Sequence, residues 1–317
     1  MNDAVLLSVV VVIGRDRGRA REMVSALAAQ GGVEKLEVVI VDTAPAGASV
    51  SDEVPGLRIT IVNLAQDRSW SQARYEGFRK ARAPVIAFLE DHCIPAKDWA
   101  ERIIAAHDKP WAAVGYSFLN GSRDTYLYRS IFMAEYGFWA DPAGASANGY
   151  LPSNNVSYKR AALLEQGDGV EHGFSDDSVI LKVFKSLGQE VTVEPTALVA
   201  HQATGFADTL HGHFSLARLS ASAAYGEGRR SLLVRLAVAL TSPLLFPPVR
   251  LFRLFRSLRD RSGLKWRFIK GIPVIYLVYQ WAALGVSMGC LAGEGISSKD
   301  FDWAQLNAPR IKADFLE

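Results

Sequence analysis

Residues 71–95 read SQARYEGFRKARAPVIAFLEDHCIP. The spacing predicts a helix over residues 71–82, and residues 84–89 form a short apolar strand. That strand stops on three polar side chains, Glu90, Asp91 and His92, with Pro95 just beyond. A helix running into a buried strand with acids at its carboxyl end is one unit of a doubly wound α/β sheet, whose ligand crevice lies at those strand ends.

The flanking sequence repeats the unit. Residues 6–13 are a continuous, β-branched run of the kind covered on both faces in a parallel sheet. Residues 19–30 have helical spacing, ended by Gly31-Gly32. Residues 36–41 form a second strand that closes on Asp42. A loop rich in Pro, Gly, Ala and Ser leads to a third strand over residues 57–62. Downstream come a helix at 99–106, a strand at 111–117, a helix at 178–187 stopped by Gly188, and a strand at 191–199 with His201 just after it. Residues 123–140 are aromatic-rich and carry no clear period. Asp42 and the Glu90 cluster both fall at strand ends, which is the first pointer to a site.

Each chemistry-bearing group has two readings. Glu90, Asp91 and His92 suit a hard divalent cation, and such a cation neutralises a diphosphate; they equally suit a solvated strand end. Asp176-Asp177 precedes an amphipathic helix and reads as an N-cap. One carboxylate suffices for a cap, and the second could take a proton from a hydroxyl as general base. His201 reads as a structural residue or a ligand, and Arg74 as a solvated helix charge or a phosphate contact. Cys93 has no second cysteine nearby to complete a thiolate site.

Bulk properties bound the rest. With 49% hydrophobic and 10% aromatic residues in a chain of 317, disorder is excluded and one large α/β domain with an appendage is accommodated. Two distant cysteines point to a reducing compartment. The first apolar run lacks a basic lead and a small-residue cleavage site, so it is not expected to be a secretory signal.

Charge is uneven. Between Arg229 and Lys270 lie eleven basic residues and one acid, Asp260, a local charge of +10; the whole chain is only +2, so the remainder is −8. Cations set among apolar residues read as a membrane-surface element rather than a nucleic-acid domain, and no nucleic-acid partner is expected. Residues 272–292 are 21 residues without a charge, long enough to span or re-enter a bilayer. Residues 232–249 are shorter and interrupted by Pro243, Pro247 and Pro248. A two-span hairpin would send the eight cations of residues 250–270 across the membrane, against the positive-inside preference. The first segment is therefore expected to be re-entrant or interfacial. It would be followed by a separate in-plane helix with Leu251, Phe252, Leu254, Phe255 and Leu258 on one arc and Arg250, Arg253, Arg256 and Asp260 opposite.

Four segments, in order, resemble the inverting family 2 glycosyltransferases of GT-A fold. They are SVVVVIGRDRGRA from Ser8, LEVVIVDTAP from Leu36, the 71–95 stretch, and LPSNNVSYKRAALLEQGDGVEHGFSDDSVILKVFKSLG from Leu151. The resemblance spans residues 8–201, roughly 60% of the chain. It implies a GT-A-type, mostly parallel doubly wound sheet with membrane-associated C-terminal helices. Its domains would be a catalytic one at 1–205, a connecting helix at 206–230, membrane-associated helices at 231–293 and a tail at 294–317.

The resemblance also assigns roles. Asp42, Arg74 and Glu90 would bind the nucleotide, Asp91, His92 and His201 a divalent metal, Mn2+ or Mg2+. Glu90 and His92 would occupy the two acidic places of the family's DxD motif. Asp177 would be the general base with Asp176 its acidic neighbour, and Asn154 and Asn155 would line the donor–acceptor junction. Departures are His92 for a carboxylate, Thr43 for the second acid after Asp42, Tyr75 for an asparagine, and Asp176 for a glutamate. The implied partners are a nucleotide-sugar donor, a lipid-linked or glycan acceptor and an anionic membrane surface, at the cytoplasmic face of the inner or plasma membrane. The Gln-x-x-Arg-Trp motif of processive synthases is missing, which points to addition of one sugar. The alternatives are a sugar-phosphate nucleotidyltransferase, for which Gly14–Gly18 is a poor phosphate loop, and a non-catalytic membrane scaffold of the same fold.

Overall fold

The computed structural model describes residues 4–44, 54–64, 68–143, 151–152, 154–167, 174 and 177–313, with only the backbone of residues 177–179. They fall into two compact units: Met1–Leu119 with Asp141–His201, and Asn120–Ala140 with Gln202–Glu317.

The first unit is built on one eight-stranded sheet. Its strands are β1 (Leu7–Ile13), β2 (Leu36–Asp42), β3 (Arg58–Asn63), β4 (Val85–Glu90), β5 (Cys93–Pro95), β6 (Ala113–Asn120), β7 (Val156–Lys159) and β8 (Val191–His201), in the order β3-β2-β1-β4-β7-β6-β8-β5. All positions of β1, β2 and β4 are buried, so both faces of these strands are covered; hence the unbroken apolar runs. One cover is the helix Trp70–Lys80, started by a capping box between Ser69 and Gln72. It lies so close that a Cβ on Gly77 would collide with Val10 and come 2.9 Å from Val41 Cγ2.

Pairing is parallel through β3-β2-β1-β4. It turns antiparallel where β7 joins β4 and β6, and where β5 joins β8. Apolar patterning marks a strand covered on both faces but is blind to its direction, so the expectation of a mostly parallel sheet is met on one side of β4 only. Register then places the acids. Asp42 lies opposite Ile13, and Glu90 lies opposite Val12 on the other side of β1.

Behind the sheet, His107 ends the helix Trp99–His107, and its Nε2 lies 2.9 Å from Ser157 Oγ, which donates to Val114 O at 3.1 Å. Burial, reinforced by the charge of Lys159, lowers the His107 pKa from 6.5 to about 3.

The second unit is helical: Tyr126–Tyr136, Phe206–Tyr225, Leu232–Ser257, Ser262–Ala292 and Ser297–Leu306. Residues 123–140, unassigned from sequence, contain the first of these. Thr125 caps it, and Ser130, Ile131, Phe132, Met133 and Ala134 are buried in succession, which erases a one-sided pattern. The expected break at Pro243 is corrected, since Leu232–Ser257 is one helix with all three prolines inside. Proline strips the carbonyl four residues earlier of its donor. For Pro243 that carbonyl is Ala239 O, and Ser287 Oγ of the neighbouring helix donates to it at 2.7 Å. Leu232–Ser257 and Ser262–Ala292 are each long and apolar enough to cross a membrane.

Because native His107 stays neutral to about pH 3 while the unfolded chain protonates near 6.5, the unfolded state binds more protons between those values. Stability is therefore lost as pH falls from 6.5 towards 3. In urea titrations, His107→Gln is expected to flatten the wild-type decline by up to about 1.4 kcal/mol per pH unit. Equal slopes in the two proteins would show that His107 does not titrate this way.

Candidate active site

The site assembles at the carboxyl end of the parallel strands. Glu90 closes β4 and is held by the two residues just before β7: Asn154 Nδ2 donates to its Oε1 at 2.8 Å and Asn155 Nδ2 to its Oε2 at 2.6 Å. Asn155 Oδ1 in turn accepts the Glu90 backbone N–H at 3.0 Å. The asparagines thus orient the carboxylate. His201 arrives from the end of β8, whose antiparallel register sets it directly opposite Cys93. Its ring meets that of His92 edge to face, with centroids 5.0 Å apart.

One potential ligand atom from each of Glu90, His92, Cys93 and His201 lies within 4.8 Å of the others, and all four residues are buried. Within the set, His92 Nε2 is 3.6 Å and Cys93 Sγ 3.8 Å from Glu90 Oε2. Ligand bonds of about 2.0–2.3 Å place tetrahedral neighbours roughly 3.3–3.8 Å apart, so these two separations match a divalent ion's shell, and the set as a whole, within 4.8 Å, is somewhat looser. His92 Nδ1 lies 3.1 Å from Asp91 Oδ1. A proton shared there leaves the Nε2 lone pair directed at the cluster, the usual arrangement behind a metal-binding imidazole.

Asp91 belongs to the layer behind. Its Oδ2 is 3.2 Å from Arg19 Nη2, both side chains being buried, and it supports His92 where the sequence reading made it a ligand. Asp42 is matched in the same way by Arg17, whose Nη2 sits 2.8 and 2.9 Å from its two oxygens, while the Ala44 N–H donates to Oδ1 at 2.9 Å. Arg17 and Arg19 were missed from sequence. They follow Asp16, which caps their helix by accepting from Gly18 N and Arg19 N. That cap fixes the helix start two residues before the expected one and so turns both arginines inward. The metal-competent role of Cys93 was also undervalued, because its partners are distant in sequence or of another residue type.

Arg74 is corrected. It is not a solvated charge: its side chain is buried, with the guanidinium 4.6 Å from the Trp70 ring centre, 4.5 Å from Phe88 and 5.3 Å from Phe174, donating to Phe174 O at 3.1 Å. Asp177 opens the helix Asp177–Ser186. Its side chain and the whole of Asp176 lie outside the described residues.

An α/β sheet with acids and histidines gathered at its strand ends is the architecture of a GT-A glycosyltransferase. A mannosyltransferase from Pyrobaculum calidifontis, PcManGT, solved with GDP-Man and Mn2+, shares the fold. Its TM-score is 0.52 at 18% identity, over 90% of this chain and 86% of that one. Residues 8–163, just under half of the chain, match the Glycosyl transferase family 2. Pre-mycofactocin glycosyltransferases of two Mycobacterium tuberculosis strains, CDC 1551 and H37Rv, are 23% identical over 205 residues, 62% of this chain. The chain spans only 42% of the length of those curated relatives.

Breaking a buried ion pair on one side strands the other charge. Arg19→Met is therefore expected to destabilise the fold by about 3–5 kcal/mol in denaturant titrations, and adding Asp91→Asn should restore most of the loss. Additive losses would argue that Asp91 serves something other than Arg19.

Proposed function

We propose that this glycosyltransferase is inverting and metal-dependent, and moves one sugar from a nucleotide donor to an acceptor presented at the cytoplasmic face of a membrane. The observation that carries the reading is the buried Glu90–His92–Cys93–His201 cluster, set one strand away from Asp42. Glu90, His92 and His201 would hold the cation, with Cys93 the fourth donor within reach. Two imidazoles favour Mn2+ over Mg2+, and the Pyrobaculum neighbour holds Mn2+. Such an ion stabilises a departing nucleoside diphosphate.

The remaining steps belong to the chain's own side chains. Asp42, fixed by Arg17 and the Ala44 N–H, would meet the nucleoside. Asn154 and Asn155 hold Glu90 in its rotamer. Asp177, at the start of its helix, would take the proton from the acceptor hydroxyl as that oxygen attacks the anomeric carbon, with Asp176 beside it. A single carboxylate on the acceptor side gives inversion. The basic, apolar residues 229–270 support an acceptor carried by a lipid.

Purified full-length chain, screened against nucleotide sugars, is expected to release nucleoside diphosphate. Pyrophosphate release from a nucleoside triphosphate and a sugar phosphate would indicate a nucleotidyltransferase, and silence with every donor a scaffold. Asp177→Asn should keep donor affinity while transfer falls by about a hundredfold or more; near-normal turnover would remove Asp177 from the role. Turnover should stop in EDTA and return with Mn2+, and full activity in chelator would reject metal dependence.

A further inference from the structure

Sequence leaves open whether residues 272–292 cross the bilayer. The packing of the second unit bears on the choice. The helix Ser262–Ala292 is its central rod, about 46 Å long at 1.5 Å per residue. Helix Tyr126–Tyr136 lies along its first half: Tyr126 Oη donates to Lys270 O at 3.0 Å and Tyr279 Oη to Ala134 O at 3.1 Å. Helix Phe206–Tyr225 lies along its second half, where Gly285 and Gly289 allow the carbonyls of Phe214 and Arg218 to approach, and Arg218 Nε donates to Gly293 O at 2.7 Å. Leu232–Ser257 packs on the rod too, through Arg235 Nε to Cys290 O at 2.8 Å and the Ser287–Ala239 bond.

The flanking helices are not lipid-compatible. Arg129 is ion-paired with Asp124, Glu135 lies 3.5 Å from His213, and His211 lies 3.4 Å from Asp300 of helix Ser297–Leu306. If the rod crossed the membrane, these groups would be carried towards hydrocarbon depth, where a lone Arg or Asp costs about 2.5–3.5 kcal/mol. Crossing would also send the cationic turn to the far side.

What faces outward is nonetheless apolar. At ~100° per residue, Trp266, Ile269, Leu277, Leu284, Met288 and Leu291 fall on one arc of the rod, and all are exposed. On Leu232–Ser257, Leu233, Leu240 and Leu244 are more than 70% exposed. The expected amphipathic arc divides here: Leu254 and Leu258 are buried in protein, while Phe252 and Phe255 stay exposed. Towards the turn, the exposed aromatics Phe252, Phe255 and Trp266 alternate with the exposed cations Arg253, Arg256 and Arg267. That mixture matches anionic headgroups above acyl chains.

The geometry points to monotopic attachment: both helices lie in the plane of one leaflet, their outer apolar stripes dipped into the acyl boundary and the basic turn on anionic lipid headgroups, with no crossing. This rests on the membrane-face reading of the proposed function but not on its chemistry.

Both natural cysteines are buried, so an impermeant maleimide reports an introduced one. Asp260→Cys, in the turn, and Glu227→Cys, before the first helix, are placed singly in the full chain in membrane vesicles of known orientation. Monotopic attachment predicts labelling of both in inside-out vesicles and of neither in right-side-out vesicles. A turn labelled only in right-side-out vesicles would overturn it. Recovery of the chain in the soluble fraction would instead sink the membrane reading, and neither readout depends on turnover. With purified protein, Arg253→Glu with Arg256→Glu should weaken partitioning onto phosphatidylcholine–phosphatidylglycerol vesicles by about tenfold or more, yet leave the weak binding to pure phosphatidylcholine unchanged. The milder pair Arg253→Gln and Arg256→Gln should show the same trend, and unaltered partitioning in both would refute the headgroup contact.

Discussion

The site depends on how the buried carboxylate of Glu90 is held. A carboxylate taken out of water survives as an anion only where donors or cations replace its hydration. Asn154 and Asn155, just before β7, provide two amide donors, and the antiparallel β5–β8 pair brings the donor atoms of Cys93 and His201 within reach. Nearby acids are treated differently: Asp42 and Asp91 each face an arginine. The result is a strand-end cluster in which two carboxylates are balanced by protein cations and a third is steadied by neutral amides, an arrangement suited to receiving a divalent ion.

Geometry of this kind follows from strand register more than from any local motif. β1 is a featureless apolar strand, yet its parallel pairing with β2 and β4 fixes Asp42 and Glu90 at nearly the same level on either side of it. The reversal of direction beyond β4 then lets the start of β7 and the end of β8 reach the same edge of the sheet. The candidate cluster sits where the topology changes, the place where open α/β sheets generally bind ligands.

Much of this was legible in the sequence. Unbroken apolar runs identified β1, β2 and β4, and the acids that stop them pointed to the strand ends where the cluster gathers. What patterning could not convey was direction, so the antiparallel half of the sheet was not foreseen. Nor does residue type reveal which charges turn inward: Arg17, Arg19 and Arg74 look like ordinary helix charges until the Asp16 cap and the Trp70–Phe88–Phe174 rings are seen to enclose them. The three prolines of Leu232–Ser257 misled for a related reason, since the donor that satisfies Ala239 O comes from Ser287, 48 residues away. Long-range partners, not local propensity, decided each of these points.

Titration of the purified chain with Mn2+, followed by isothermal calorimetry and by the electron paramagnetic resonance of the free ion, tests the central assignment most directly. The account predicts one saturable site, tightened by a nucleoside diphosphate and lost in Glu90→Gln and in His201→Ala, with the fold retained by circular dichroism. Unchanged Mn2+ affinity in both variants would contradict it.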